Sequence, residues 1–112
     1  MSELDILISE LIQFRDERDW EQFHNSKDLA LGISIEAAEL NELFLWKSKE
    51  QVESVSDEKI KEELADILNY CFLLAQKHNF SAIDIVREKL EKNRQKYPIE
   101  KAKGSAKKYN EL

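Results

Sequence analysis

The sequence predicts an all-α protein: four main helices with short connections, forming a four-helix bundle-like arrangement. Three observations carry that prediction. Apolar residues recur at helical spacing through four separate stretches. The 112 residues hold only two glycines and one proline, and 36% of them are charged, a composition that suits helices. No stretch alternates with the period of a strand, and no internal repeat or low-complexity segment interrupts the chain. The whole of 1–112 reads as a single domain, with 99–112 as a basic tail.

The first helix covers 3–18, where Leu4, Leu7, Ile8, Leu11 and Ile12 fall on one stripe. The aromatics and histidine of Arg18-Asp19-Trp20-Glu21-Gln22-Phe23-His24-Asn25 break the helical period, so this segment reads as an ordered loop. Ser26 is the expected N-cap of a second helix over about 27–47, with Leu29, Ile33, Ala37, Leu40 and Phe44 on its apolar stripe. Gly32 inside it weakens the helix by about 1 kcal/mol relative to Ala, which a close helix contact would explain. The polar stretch Ser48 to Ser56 reads as a loop. Ser56-Asp57-Glu58 opens a third helix over 57–78, with acids in its first turn. Its apolar arc is too broad for a single chain to cover, so a homo-oligomer is expected. Ser81 caps the fourth helix, which Pro98 ends.

Two of these helices carry paired acids: Glu36 with Glu39 on the second, Glu63 with Asp66 on the third. Residues three apart share a helix face, and the neighbours of these acids are apolar. One such pair among 23 acidic residues is ordinarily a solvated face. Two pairs beside buried stripes place four carboxylates where they repel one another and resist ionisation. A hard divalent cation with oxygen ligands relieves that repulsion, and Mg²⁺ is the natural choice where phosphates are handled. Soft-metal sites lack materials, with one cysteine and two histidines. A di-iron carboxylate bundle uses two Glu-x-x-His motifs, and Glu21-x-x-His24 supplies one.

Trp20, Phe23, His24, Trp46 and Tyr70 are the other residues of interest. Tyr70 lies one turn beyond Asp66 and Trp46 two turns beyond Glu39, so both are expected along the sides that carry the acids. Such rings usually fill cores; beside metals they can also form a slot that stacks a nucleobase. Lys89 and Asn93 sit four apart on the fourth helix. They read either as a solvated face or as a grip for phosphate.

A net charge of −6 argues against binding nucleic-acid polymers. A lone Cys71 excludes an internal disulfide framework and suits a reducing compartment. The N-terminus lacks a basic n-region, and no apolar run nears the ~20 residues of a bilayer span. A cytoplasmic protein without a membrane partner is expected.

Glu36-x-x-Glu39 followed by Glu63-x-x-Asp66 resembles the signature of the MazG-like all-α nucleoside triphosphate pyrophosphohydrolases. Four longer stretches are similar to the dCTP pyrophosphatase branch: Arg18 to His24, Glu39 to Lys47, Glu62 to Tyr70, and Asn93 to Pro98 continuing to Tyr109. The resemblance spans nearly the whole chain. It implies an Mg²⁺-dependent hydrolysis of dCTP or a related (deoxy)nucleoside triphosphate to monophosphate and pyrophosphate. It implies Glu36, Glu39, Glu63 and Asp66 as metal ligands. The pattern does not single out the acid that serves as general base; Glu39 is favoured. It further implies Trp20, Glu21, Gln22, Phe23, His24, Trp46 and Tyr70 around base and sugar, Lys89 and Asn93 on phosphate, and a homodimer or homotetramer. One departure is Leu11, where a family member carries a histidine. Two alternatives stand beside this reading: a dUTP-directed or broad-specificity enzyme of the same superfamily, and a non-catalytic helical interaction protein.

Overall fold

The computed structural model describes residues 1–112, and every regular element in it is helical. The helices are α1 (Glu3–Glu17), α2 (Ser26–Glu42), α3 (Lys49–Val52), α4 (Asp57–Lys77), α5 (Ala82–Lys96) and α6 (Ile99–Ala102), with 3-10 turns at Glu21–Phe23 and Tyr109–Glu111. The four periodic stretches are α1, α2, α4 and α5. Contacts group the chain into two units, Met1–Asn79 and Phe80–Leu112. No helix is long and apolar enough to cross a membrane.

In the first unit, α4 is the central element, packing against α2 and against α1. Leu29 of α2, only 2% exposed, sits deepest, with Leu73 and Ala75 of α4 also buried. Gly32 serves the close approach its position suggests. A Cβ there would come within 2.8 Å of Cε1 of the Tyr70 ring, so the absent side chain lets that ring approach α2 closely. α1 opens with a capping box: the Ser2 hydroxyl accepts from the Asp5 N–H at 3.1 Å, and the Asp5 carboxylate accepts from the Ser2 N–H at 3.1 Å.

Three expectations in this unit need correction. Asn25, not Ser26, caps α2: its carboxamide oxygen accepts from the Asp28 N–H at 2.8 Å. Ser26 is the first helical residue, and its hydroxyl shares a 2.8 Å hydrogen bond with His78 Nε2 at the end of α4. α2 stops at Glu42 instead of running to 47. Bonds to the third residue back, Leu43 N–H to Leu40 and Phe44 N–H to Asn41, tighten and close it. Trp46 then turns at φ 61°. The stretch read as a loop before Ser56 contains α3, nucleated by a Ser48–Gln51 capping box.

In the second unit, Ser81 caps α5 by accepting from the Asp84 N–H at 3.2 Å. The helix ends at Lys96, because the residue before a proline is pushed out of the helical region. The tail has structure of its own in α6 and the last turn. Tyr109 meets the Tyr97 ring edge-on, with centroids 6.1 Å apart, and lies 4.9 Å from the Lys96 ammonium.

Candidate active site

Glu36 and Glu39 share one face of α2, and α4 brings Glu63 against them. The carboxylate oxygens of these three residues lie within 4.8 Å of one another. One oxygen each of Glu36 and Glu63 is buried and meets no protein donor. Buried carboxylate oxygens are ordinarily hydrogen-bonded, and a positive group beside the cluster would satisfy both. The acidities agree. Burial, hydrogen bonding to Glu39 that only a protonated carboxyl can make, and the charges of Glu39, Asp66 and Glu63 together push Glu36 up to about 7. Burial and Glu39 push Glu63 upward as well. An all-oxygen donor set of this kind fits a hard divalent cation.

Asp66, one turn along α4, links the acids to a cavity of about 140 Å³. Its walls come from three places. α1 contributes Leu11, Phe14 and Arg15; the following turn contributes Trp20 and His24; α4 contributes Asn69, Tyr70 and Leu73. The turn is held by short local bonds. Asp19 takes a left-handed conformation at φ 54°, which aspartate tolerates better than most residues. The Trp20 N–H then donates back to the Arg15 carbonyl at 3.1 Å. The Arg18 guanidinium lies 3.7 Å over the Phe14 ring, which meets Trp20 edge-on at 5.8 Å. His24 closes the turn with its Nδ1 buried and without a protein partner. Burial, and then the Arg15 charge, hold the imidazole below its ordinary pKa of 6.5 despite the opposing Glu21.

Residues 31–112 match the sequence pattern of the MazG-like family. The chain belongs to the MazG-like family. It is 39% identical over 105 residues to a protein named dCTP pyrophosphatase 1 from Rattus norvegicus, and 38% identical over the same length to the protein of that name from Homo sapiens. Each match covers 89% of this chain but 62% of the relative, so the chain spans under two thirds of their length. A crystal structure of a pyrophosphatase from Archaeoglobus fulgidus superposes with a TM-score of 0.83 at 38% identity, covering 88% of this chain and 94% of that one.

This MazG-like fold gathers some of the residues singled out in the sequence and not others. Glu36, Glu39 and Glu63 form the acid cluster, while Asp66, Trp20, His24 and Tyr70 line the cavity beside it. Glu21 instead faces Arg15, 3.6 Å away. The Gln22 amide is spent on Asp19, whose carbonyl and carboxylate accept from it at 2.9 and 3.0 Å. Phe23 is 61% exposed. Trp46 does not lie two turns along the acid-bearing face, since α2 ends before it; its ring is 91% exposed. Lys89 and Asn93, on α5 in the second unit, line one shallow groove with Val86 and Leu90. The charge of Lys96 lowers the Lys89 pKa. Arg15 and Asn69 were not singled out. Arg15 follows Leu11 by four and Ile12 by three, so a cation that continues an apolar stripe was the available signal.

Proposed function

We propose that this chain is an Mg²⁺-dependent nucleoside triphosphate pyrophosphohydrolase that acts on dCTP or a close pyrimidine relative. The observation that carries the reading is the joining, through Asp66, of an electron-rich carboxylate cluster to an aromatic cavity the size of one ring. At about 140 Å³ the cavity is close to the ~150 Å³ that accepts benzene in an engineered protein. A pyrimidine fits such a space better than a purine. The names of the dCTP pyrophosphatase 1 relatives and of the archaeal pyrophosphatase agree with it.

In this mechanism Glu36, Glu39, Glu63 and Asp66 would hold the cation, and Mg²⁺ there would supply positive charge against the triphosphate and the leaving pyrophosphate. Trp20 and Tyr70 flank the base and exclude water from it. Glu39 takes a proton from a water that attacks the α-phosphorus. The bond from that phosphorus to the bridging oxygen breaks, releasing monophosphate and pyrophosphate. For Lys89 and Asn93, on α5 of the second unit, the proposal is a phosphate-binding role, which rests on the family resemblance alone.

A second copy of the chain completes the molecule as a homodimer or homotetramer. Leu31 and Ile35, one turn apart on α2, are 52% and 58% exposed, and Leu64 and Leu68 on α4 are 46% and 43% exposed. Apolar pairs of this kind are what helix–helix contacts between subunits bury.

Pyrophosphate release from each common triphosphate, with and without Mg²⁺, tests the reading. Mg²⁺-dependent turnover that favours dCTP is the expected result. No turnover of any triphosphate would leave the helical interaction protein as the reading, and a purine preference would favour the broad-specificity one.

A further inference from the structure

Arg15 is the one charged side chain buried in this protein, at 8% residual exposure. Arginine is rarely buried without partners, and this one has them on one side only. Nε donates to Asp16 Oδ1 at 2.9 Å. Nη2 lies 2.8 Å from the same oxygen and 3.6 Å from Glu21 Oε2. Nη1 has a single long contact, 3.4 Å to Gln76 Oε1 on α4. A guanidinium carries five N–H donors, two of them on Nη1. Asp16 and Glu21 therefore anchor the fork by Nε and Nη2, and Nη1 keeps donor capacity. The residue lines the cavity together with Trp20, Asn69 and Tyr70. Neither the acid cluster nor the stacking rings require a cation there, and an apolar side chain would fill the position at lower desolvation cost.

We propose that Arg15 is a specificity-determining residue, donating its remaining Nη1 hydrogen to the unprotonated ring nitrogen N3 on the edge of the base held in the cavity. The proposal rests on the nucleotide reading above and names the contact that selects within it. With Nε and Nη2 on Asp16 and one Nη1 hydrogen toward Gln76, one N–H is left, a charged donor that needs an acceptor. Cytosine offers one in its unprotonated N3. Uracil and thymine carry hydrogen on N3, which sets a donor against this donor. Arg15 thus favours cytosine over the other pyrimidines, a choice that stacking on Trp20 and Tyr70 cannot make.

The test pairs a protein change with a ligand change. kcat/KM is measured for dCTP, dTTP and 3-deaza-dCTP, in which N3 is replaced by C–H, with wild type, Arg15→Met and Arg15→Lys. Wild type is expected to favour dCTP over the 3-deaza analogue by about 10- to 100-fold, as for a hydrogen bond to a charged group. Arg15→Met should lose a similar factor on dCTP and treat the two substrates alike. Arg15→Lys keeps the charge but not the nitrogen that the Asp16 and Gln76 contacts orient, and should also lose the discrimination, which covers the case where the methionine variant does not fold. Equal loss on every substrate, with the preference intact, would overturn the proposal and leave Arg15 as an anchor of the Trp20 turn. Binding of dCMP and 3-deaza-dCMP by calorimetry gives the same comparison without turnover. Wild type that hydrolyses nothing but distinguishes these two overturns the proposed activity and upholds the contact; equal affinity overturns the contact.

Discussion

The Tyr70 ring occupies the space that a side chain at Gly32 would need, with Cε1 2.8 Å from where a Cβ would sit. α2 and α4 meet there, one helical turn from both Glu36 and Asp66. The same close approach sets the cavity wall and helps hold the two acid-bearing helices together.

Gly32→Ala should therefore act on the site more than on the fold. The added methyl pushes the Tyr70 ring outward, an overpacking cost of typically 1–3 kcal/mol, partly offset by the ~1 kcal/mol that alanine gains over glycine in a helix. A small fall in the denaturant midpoint with a clear rise in nucleotide KM is expected. Unchanged KM would show that the ring is free to yield.

Glu36→Gln, Glu39→Gln, Glu63→Gln and Asp66→Asn should each remove most turnover, because each deletes charge that a hard cation needs. Folding should survive, and Glu36→Gln should raise the melting temperature of the metal-free protein by relieving repulsion within the cluster. Turnover assays beside thermal melts check both halves. Full activity in any two of the four variants would contradict the metal assignment.

The acid cluster also predicts a pH dependence. Glu36 is raised from 4.5 to about 7 on folding, and Glu63 is raised as well. Between those values the folded protein holds protons that the unfolded chain has released, so metal-free stability falls as pH rises from about 4.5 to about 7. On the proposed assignment Mg²⁺ would bind the deprotonated cluster, so its stabilising effect should grow over the same interval. Melting temperatures across that range, with and without Mg²⁺, should diverge toward neutral pH. Glu36→Gln should flatten the metal-free slope.

Trp46 combines 91% exposure with φ 61°, a conformation that costs a bulky residue roughly 1–2 kcal/mol. Trp46→Gly should leave the stability of the isolated chain unchanged or raise it. If the ring stacks on nucleotide in the assembled protein, KM should rise by similar factors for every triphosphate. Melting curves and a KM panel separate the two effects.

Sedimentation at micromolar concentration should find a species larger than monomer. Ile35→Glu together with Leu64→Glu should shift it toward monomer, because both replace exposed apolar side chains with charge. A monomeric wild type would exclude the assembly.

The helices and the acid pairs were legible in the sequence because they rest on local rules. A 3.6-residue period identifies α1, α2, α4 and α5, and i, i+3 spacing puts Glu36 with Glu39 and Glu63 with Asp66. The end of α2 was less legible: Leu43 to Trp46 look helical by composition, but tight turn bonds close the helix early. Asn25 and Ser26 are both good caps, and the His78 contact across to α4 engages the Ser26 hydroxyl.

By itself the sequence determined an all-α chain with two acid-bearing helices and a loop rich in aromatics. Tertiary structure decided which of those residues meet. It brought Glu63 to Glu36 and Glu39, turned Trp20 and His24 into the cavity, and left Gln22 on Asp19 and Trp46 in solvent. It also showed Arg15 to be buried at that cavity, where the linear sequence showed only a cation at the end of an apolar stripe. The physical reason is range. Helix formation and capping depend on neighbours within about four residues, whereas burial and the charges that shift Glu36 come from residues up to 30 positions away in the chain, brought near only when α2 packs on α4.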